Sequence, residues 1–165
     1  MRRIRHEYVL DLTKVDPRTL AARHIDAVEV RPASASDATA LAVLMLDAYR
    51  GTIDYEGETP EQTRREVERF YLEEPLLDAS AVAVFEGALS SAVLMRVWRG
   101  HPLVRTIMTA PAQKRRGLAE LVLAHALAKL AAQGHREAHA FITEGNTPSE
   151  ATVARLGFQR VERTR

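Results

Sequence analysis

The sequence predicts a mixed α+β domain in which a run of antiparallel hairpins leads into a β-α-β-α-β second half. Three observations predict it. Period-two runs of apolar and polar residues recur from one end of the chain to the other. Helical periodicity occurs where a capping signal or a glycine turn precedes it. Turn residues separate the two kinds of segment at short intervals. A chain of 165 residues suits one domain with a core of its own.

Residues 3–12 alternate: Ile4, His6, Tyr8, Leu10 and Leu12 share one side, and Arg3, Arg5, Glu7, Val9 and Asp11 the other, which is a strand. Asp16-Pro17 opens a short helix through Ala22, with Asp16 as cap. Residues 27–31 form a second strand, ended by Pro32. Ser34 with Asp37 three positions on reads as a capping box for a helix through Arg50, stopped by Gly51. Leu41, Leu44, Met45 and Ala48 give that helix its core face. After an acidic loop, Thr59-Pro60-Glu61-Gln62 starts another helix, with Val67, Phe70 and Tyr71 as its buried stripe and Pro75 as its end. Residues 79–85 and 88–98 are strands around the hairpin signal Glu86-Gly87. Gly100-His101-Pro102 turns the chain into a strand at 103–109. A helix pattern follows at 120–133, stopped by Gly134, then a strand at 136–142. Thr147-Pro148-Ser149-Glu150 reads as a third capping box, with Thr147 as cap, for a short helix closed by Leu156-Gly157. Residues 158–163 make a final strand.

Composition excludes several functions. There is no cysteine, so disulfides, thiolate metal sites and cysteine nucleophiles are ruled out. Net charge is +1, whereas binding a nucleic-acid backbone needs many unopposed cations, so no nucleic-acid partner is expected. The basic start, Arg2-Arg3-Ile4-Arg5, is not followed by an apolar stretch, and no run is long enough to span a bilayer. A soluble cytoplasmic protein without a membrane partner is the expectation. His135 and His139 bracket a strand start, and His125 shares a polar helical stripe with Lys129 and Gln133. No pair has ligand spacing with a third partner, so no metal site is expected.

The most informative stretch is Lys114-Arg115-Arg116-Gly117-Leu118-Ala119, a basic, glycine-containing turn between a strand and a helix N-terminus. Unpaired N–H groups of a first helical turn point at an anion, the helix dipole favours it, and glycine permits close approach. The turn therefore reads as a phosphate cradle.

This turn resembles the Arg/Gln-x-x-Gly-x-Gly/Ala motif of the GNAT superfamily of acyl-CoA-dependent N-acyltransferases, with lysine at the first position. A second resemblance follows at the family's separation: Asn146 after a strand, a short helix, then Leu156-Gly157-Phe158. The order of elements over residues 28–161 is similar as well. The resemblance implies a GNAT-like fold, with a mostly antiparallel central sheet flanked by helices. Residues 27–165 would form the acetyltransferase domain, and residues 1–26 an arm carrying an extra N-terminal strand. The family ordinarily has two strands after its last helix where one is legible here. The extra strand is therefore expected to fill a vacant sheet edge, in its own subunit or, in a homodimer, a neighbour's.

For function, the resemblance implies acetyl-CoA as co-substrate and an amine-bearing acceptor. Backbone N–H groups of Arg115, Arg116, Gly117, Leu118 and Ala119 would hold the pyrophosphate, with Lys114 and Arg116 as charge partners. Ile107, Met108 and Thr109 would pair with the pantetheine as if it were an added strand, and Asn146 would contact the cofactor arm. The amine would attack the thioester directly in a ternary complex. The family's tyrosine, seven residues beyond the asparagine, is replaced by Val153. Loss of a general acid costs roughly 10²–10⁴-fold, although a thiol of pKa ~8.5 is a tolerable leaving group. No catalytic acid or base is therefore assigned. Glu144 is a candidate base near the end of its strand. Asp54, Glu56, Glu58 and Glu61 form an acidic lip suited to a cationic amine. Trp98 is a core or rim residue. Val153 also motivates an alternative, a non-catalytic acyl-CoA-binding module of the same fold.

Overall fold

The computed structural model describes residues 2–162. Strand β1 (Arg5–Asp11) runs into a 3-10 turn at Leu12–Lys14 and the short helix α1 (Pro17–Ala21), capped by the Asp16 carboxylate. Then come β2 (Val28–Pro32), a 3-10 turn at Ala35–Asp37 and helix α2 (Ala38–Tyr49). Helix α3 (Pro60–Leu72) follows, with the capping box of Thr59 and Gln62 formed in both directions. Strands β3 (Ala81–Phe85), β4 (Ala88–Trp98) and β5 (His101–Thr109) are consecutive hairpins. Helix α4 (Leu118–Ala132), β6 (Glu137–Thr143), α5 (Thr147–Arg155) and β7 (Gln159–Arg160) complete the described residues.

The sheet has seven strands in the order β2-β3-β4-β5-β6-β1-β7, antiparallel throughout except between β5 and β6. This is the mostly antiparallel, helix-flanked sheet that the resemblance implies. One face carries Tyr8, Leu10, Ala83, Val93, Met95, Ala138 and Ala140 against α4, whose Val122, Leu123, Leu127 and Leu130 are fully buried. Val82, Ala92, Leu94 and Met108 face the other way, against Leu41, Leu44 and Met45 of α2, with Val67 and Phe70 of α3 behind. The expected core face of α2 is thus the observed one. Burying a Leu, Met or Val side chain contributes about 1.5–3 kcal/mol each, so these two layers are the main source of stability. Tyr71 is half-buried rather than core, and its hydroxyl donates to the Ser34 carbonyl at 2.5 Å.

β1 fills its place in its own chain. It is not at an edge, because β6 pairs with it on one side over seven residues and β7 on the other. Glycine and local polarity explain three smaller differences. The β4–β5 turn is Arg99-Gly100, both at positive φ (49° and 78°). This two-residue hairpin needs both residues left-handed, and it puts His101 and Pro102 inside β5. Asn146, not Thr147, caps α5: its carboxamide accepts from the Ser149 N–H at 3.3 Å. β7 spans two residues where 158–163 is expected, and Arg163 lies outside the described residues.

Candidate functional site

The basic turn adopts an anion-binding geometry. Arg115 (φ +66°) and Gly117 (φ +80°) are both left-handed, and Gly117 caps α4 without any side-chain hydrogen bond. Left-handed residues alternating along such a turn make a concavity of N–H groups, and the first N–H groups of a helix have no partner within it. A Cβ at Gly117 would meet nothing nearer than Ile25 Cδ1 at 3.9 Å. Backbone angle rather than crowding therefore calls for glycine, and its missing side chain leaves the helix start open. Lys114, Arg115 and Arg116 are exposed around it. The Arg116 guanidinium lies 5.5 Å from the Phe85 ring centre and donates to Gln113 at 3.0 Å. Lys114 reaches back to the Ala48 carbonyl at 3.4 Å, complementing the C-terminus of α2.

An acid in this first turn would ordinarily repel an anion. Glu120 is instead held sideways by Arg23 (2.7 Å) and Arg155 (2.9 Å). Burial alone would raise its pKa, but the two guanidinium bonds outweigh this and lower it.

A wedge opens between β5 and β6. The two strands pair only at Leu103–His139 and Val104–Ala140, although β5 continues to Thr109 and β6 to Thr143. The cause is local. Leu94 partners Thr106 while Met95 partners Val104, so Arg105 is an extra residue in β5. A bulge of this kind bends and twists its strand. Ile107, Met108 and Thr109 lie past the bulge, in the part of β5 that has left β6. Met108 is buried against α2, and the Thr109 hydroxyl meets Ser91 Oγ at 3.0 Å. The wide end of the wedge leads directly into the basic turn.

Several side chains converge on the α2 side of this wedge. Tyr49, the last residue of α2, hydrogen-bonds through its hydroxyl to Thr106 Oγ1, one residue past the bulge. Desolvation pushes its phenol pKa up, against the opposing Thr106 bond and Arg105 charge. Arg105 itself is tied to Glu66 at 2.7 Å. Tyr49 escapes the sequence reading because it is the last helical residue before the Gly51 stop. The usable signal is its position four after Met45, which puts its polar tip at the end of the core stripe. Val153, at 0% exposure in the α4 core, has no access to a reacting atom.

The other sequence candidates are engaged in structure. Asn146 caps α5 through its oxygen and donates its Nδ2–H to Asp54 at 2.8 Å. Arg3 lies 3.8 Å from both Asp54 and Glu56. Glu58 accepts from the Glu56 N–H at 2.9 Å, and Glu61 pairs with Arg65 at 2.8 Å. Arg3 and Arg65 therefore offset part of the lip's charge. Glu144 is exposed, 3.6 Å from His6 Nε2, and its N–H donates to the Ile4 carbonyl. Trp98 packs edge-on against Phe141 and tilted against His139, on the sheet face opposite α4. Two concave clefts, of about 430 Å³ between α1 and α4 and about 570 Å³ between α2 and α3, include neither the basic turn nor Asn146. Among the described residues no helix is long and apolar enough to cross a membrane.

Known proteins can be set beside this geometry. A family model described as FR47-like protein matches residues 82–165, just over half the chain and all of the wedge, the turn and α5. No curated protein sequence matches. Among solved structures, a GCN5-related N-acetyltransferase from Sphaerobacter thermophilus superposes with a TM-score of 0.76 at 16% identity. That match covers 97% of this chain but 50% of that one, so the chain spans half the length of that protein. The ribosomal-protein-S18-alanine N-acetyltransferase of Escherichia coli matches at TM-score 0.68 and 16% identity, over 82% of this chain and 79% of that one. The PaiA N-acetyltransferase of Thermoplasma acidophilum, in complex with coenzyme A, matches at 0.67 and 16%, over 84% and 92%. At such identities these likenesses establish a shared fold.

Proposed function

The chain belongs to the FR47-like family, within the GNAT superfamily, and from that premise we propose that it is an N-acetyltransferase. It moves the acetyl group of acetyl-CoA to an amine of a small molecule or a peptide, with both substrates bound at once. One observation carries this reading: the anion cradle stands at the wide end of a wedge whose β5 edge has no strand partner. A ligand with a diphosphate at one end and an extended amide-bearing arm matches that pair of features, and coenzyme A is such a ligand. The N–H groups of residues 115–119 receive the diphosphate, with Arg115 and Arg116 adding charge. The free edge at Ile107, Met108 and Thr109 pairs with the arm.

Bound acetyl-CoA supplies a thioester carbon for the amine to attack. The protein's part is to align the two and to manage protons. Tyr49 is suited to protonate the departing sulfur, because a phenol carries its proton at neutral pH and the Thr106 bond fixes its direction. Asn146 holds the acceptor-side loop to α5 through Asp54, and so acts on the site by positioning.

The test is release of free thiol from acetyl-CoA across a panel of amines. Saturable, amine-dependent release is expected. Binding of acetyl-CoA with no release from any amine would point instead to a non-catalytic acyl-CoA-binding module. Failure to bind acetyl-CoA would overturn the reading altogether.

A further inference from the structure

Just below the apex of the wedge, the sheet face opposite α4 gathers side chains from three strands that are distant in sequence. We propose that His101 of β5 with Glu137 and His139 of β6 binds a divalent transition metal of the zinc class, and that Glu7 of β1 orients His139 for it. The donor atoms of the three residues all lie within 4.8 Å of one another. His101 Nε2 is 3.1 Å, and His139 Nε2 3.0 Å, from the same carboxylate oxygen, Glu137 Oε1. An ion at ordinary Zn–N and Zn–O lengths needs its ligands about 3.3 Å apart, which these side chains reach by small adjustments.

The hydrogen-bond inventory of His139 points the same way. Its Nδ1 is 3.1 Å from Glu7 Oε1 while its Nε2 faces Glu137. A neutral imidazole has one N–H, and an ionised carboxylate only accepts. If Nδ1–H donates to Glu7, the Nε2 lone pair is aimed at an oxygen lone pair. A metal ion between them would turn both lone pairs to use, and a shared proton is the alternative occupant. The Glu7–His139 pair is also the arrangement by which carboxylates fix the tautomer of metal-binding imidazoles. The rings are held in place: His139 lies against Trp98 (5.5 Å between centres) and His101 (5.3 Å). His139 is buried, whereas the His101 and Glu137 side chains keep 44% and 39% exposure. An ion can therefore enter and keep a fourth position for water. Two imidazoles with one carboxylate suit zinc or cobalt rather than magnesium or calcium.

This inference stands independently of acetyl transfer. The chain, untagged and stripped with a chelator, is titrated with Zn²⁺ by calorimetry and with Co²⁺ by visible absorption. One ion per chain is expected, with His101 and His139 ring resonances moving on zinc addition to the unmodified protein. His101→Ala and His139→Ala should each weaken binding at least about tenfold, and Glu7→Gln by about 10–100-fold. His125→Ala, whose ring bonds to the Arg23 carbonyl elsewhere, should leave it unchanged. No saturable binding, unmoved ring resonances, or equal affinity in the His101 and His139 variants would each overturn the proposal and leave a proton as the bridge.

Discussion

The two edges of β5 are built from the same nine residues and end differently. Toward β4 it is paired along its whole length, from Trp98–His101 to Ser91–Thr109. Toward β6 it is paired at Leu103 and Val104 and then released. Composition cannot explain this, because each residue serves both edges. The bulge at Arg105 can: it turns the second half of the strand away from β6 while β4 follows it. An edge strand without a partner is a site that main-chain hydrogen bonds of another molecule can complete. The open edge is thus made by hydrogen bonds that the fold withholds.

The contrast is broken most severely at the mouth of the released edge. Gly117→Glu puts a carboxylate where the diphosphate would lie and strains a residue at φ +80°. Calorimetry should show acetyl-CoA binding lost; unchanged affinity would place the anion site elsewhere. Next is Tyr49→Phe, expected to lower kcat by roughly 10²–10⁴-fold with acetyl-CoA affinity retained. Because desolvation raises this phenol, the wild-type rate should not decline through its deprotonation until the pH exceeds the usual phenol range. A kcat within a factor of two of wild type would remove Tyr49 from the chemistry.

The next two changes act away from the wedge. Leu10→Ala removes a buried side chain of β1, the strand that backs β6, and should cost about 2–5 kcal/mol in urea unfolding. Asp37→Asn removes the charge and one of the two acceptors that the Arg31 guanidinium bonds at 2.8 Å each, and should cost about 1–3 kcal/mol at neutral pH. The Arg31 bonds, opposed by burial, hold the Asp37 pKa below its ordinary value. This stabilisation is therefore complete above the ordinary carboxylate range and fades as pH falls through the lowered pKa. The variant should lack that part of the acid-side loss, which pH-dependent melting reads directly. The finest test is hydrogen exchange. Alternate amides of residues 105–109, those turned from β4, should exchange quickly and slow when coenzyme A is added. Uniform protection without ligand would mean the second edge is closed.

What could be read from the sequence was whatever neighbours along the chain decide. The Thr59–Gln62 box, the Asp16 cap and the Glu86-Gly87 turn all form where their residues stand. Gly117 is left-handed because a basic turn must bend into a helix there. Errors arose where two local signals competed. Asn146 and Thr147 are both good caps, and the one able to bond Asp54 as well took the position. Proline at 102 reads as a turn, yet the left-handed pair Arg99-Gly100 makes the turn and leaves Pro102 in a strand. Out of reach were partners joined by strand pairing. Nothing local to Arg3 announces Asp54, nothing near Tyr49 announces Thr106, and His101 meets His139 only because β5 lies beside β6.

The place of β1 between β6 and β7 has a consequence for synthesis. Arg5 partners Thr143 and Asp11 partners Glu137, so the strand leaves the ribosome long before either neighbour exists. At typical elongation rates the delay is about ten seconds. Throughout that time Tyr8, Leu10 and Leu12 form an apolar face with nothing to cover it. Such non-local pairings form late and slowly. β2 to β5 can pair with one another meanwhile, and the strand made earliest is among the last to be locked in. A nascent chain stalled before residue 137 should therefore be the form most exposed to chaperones.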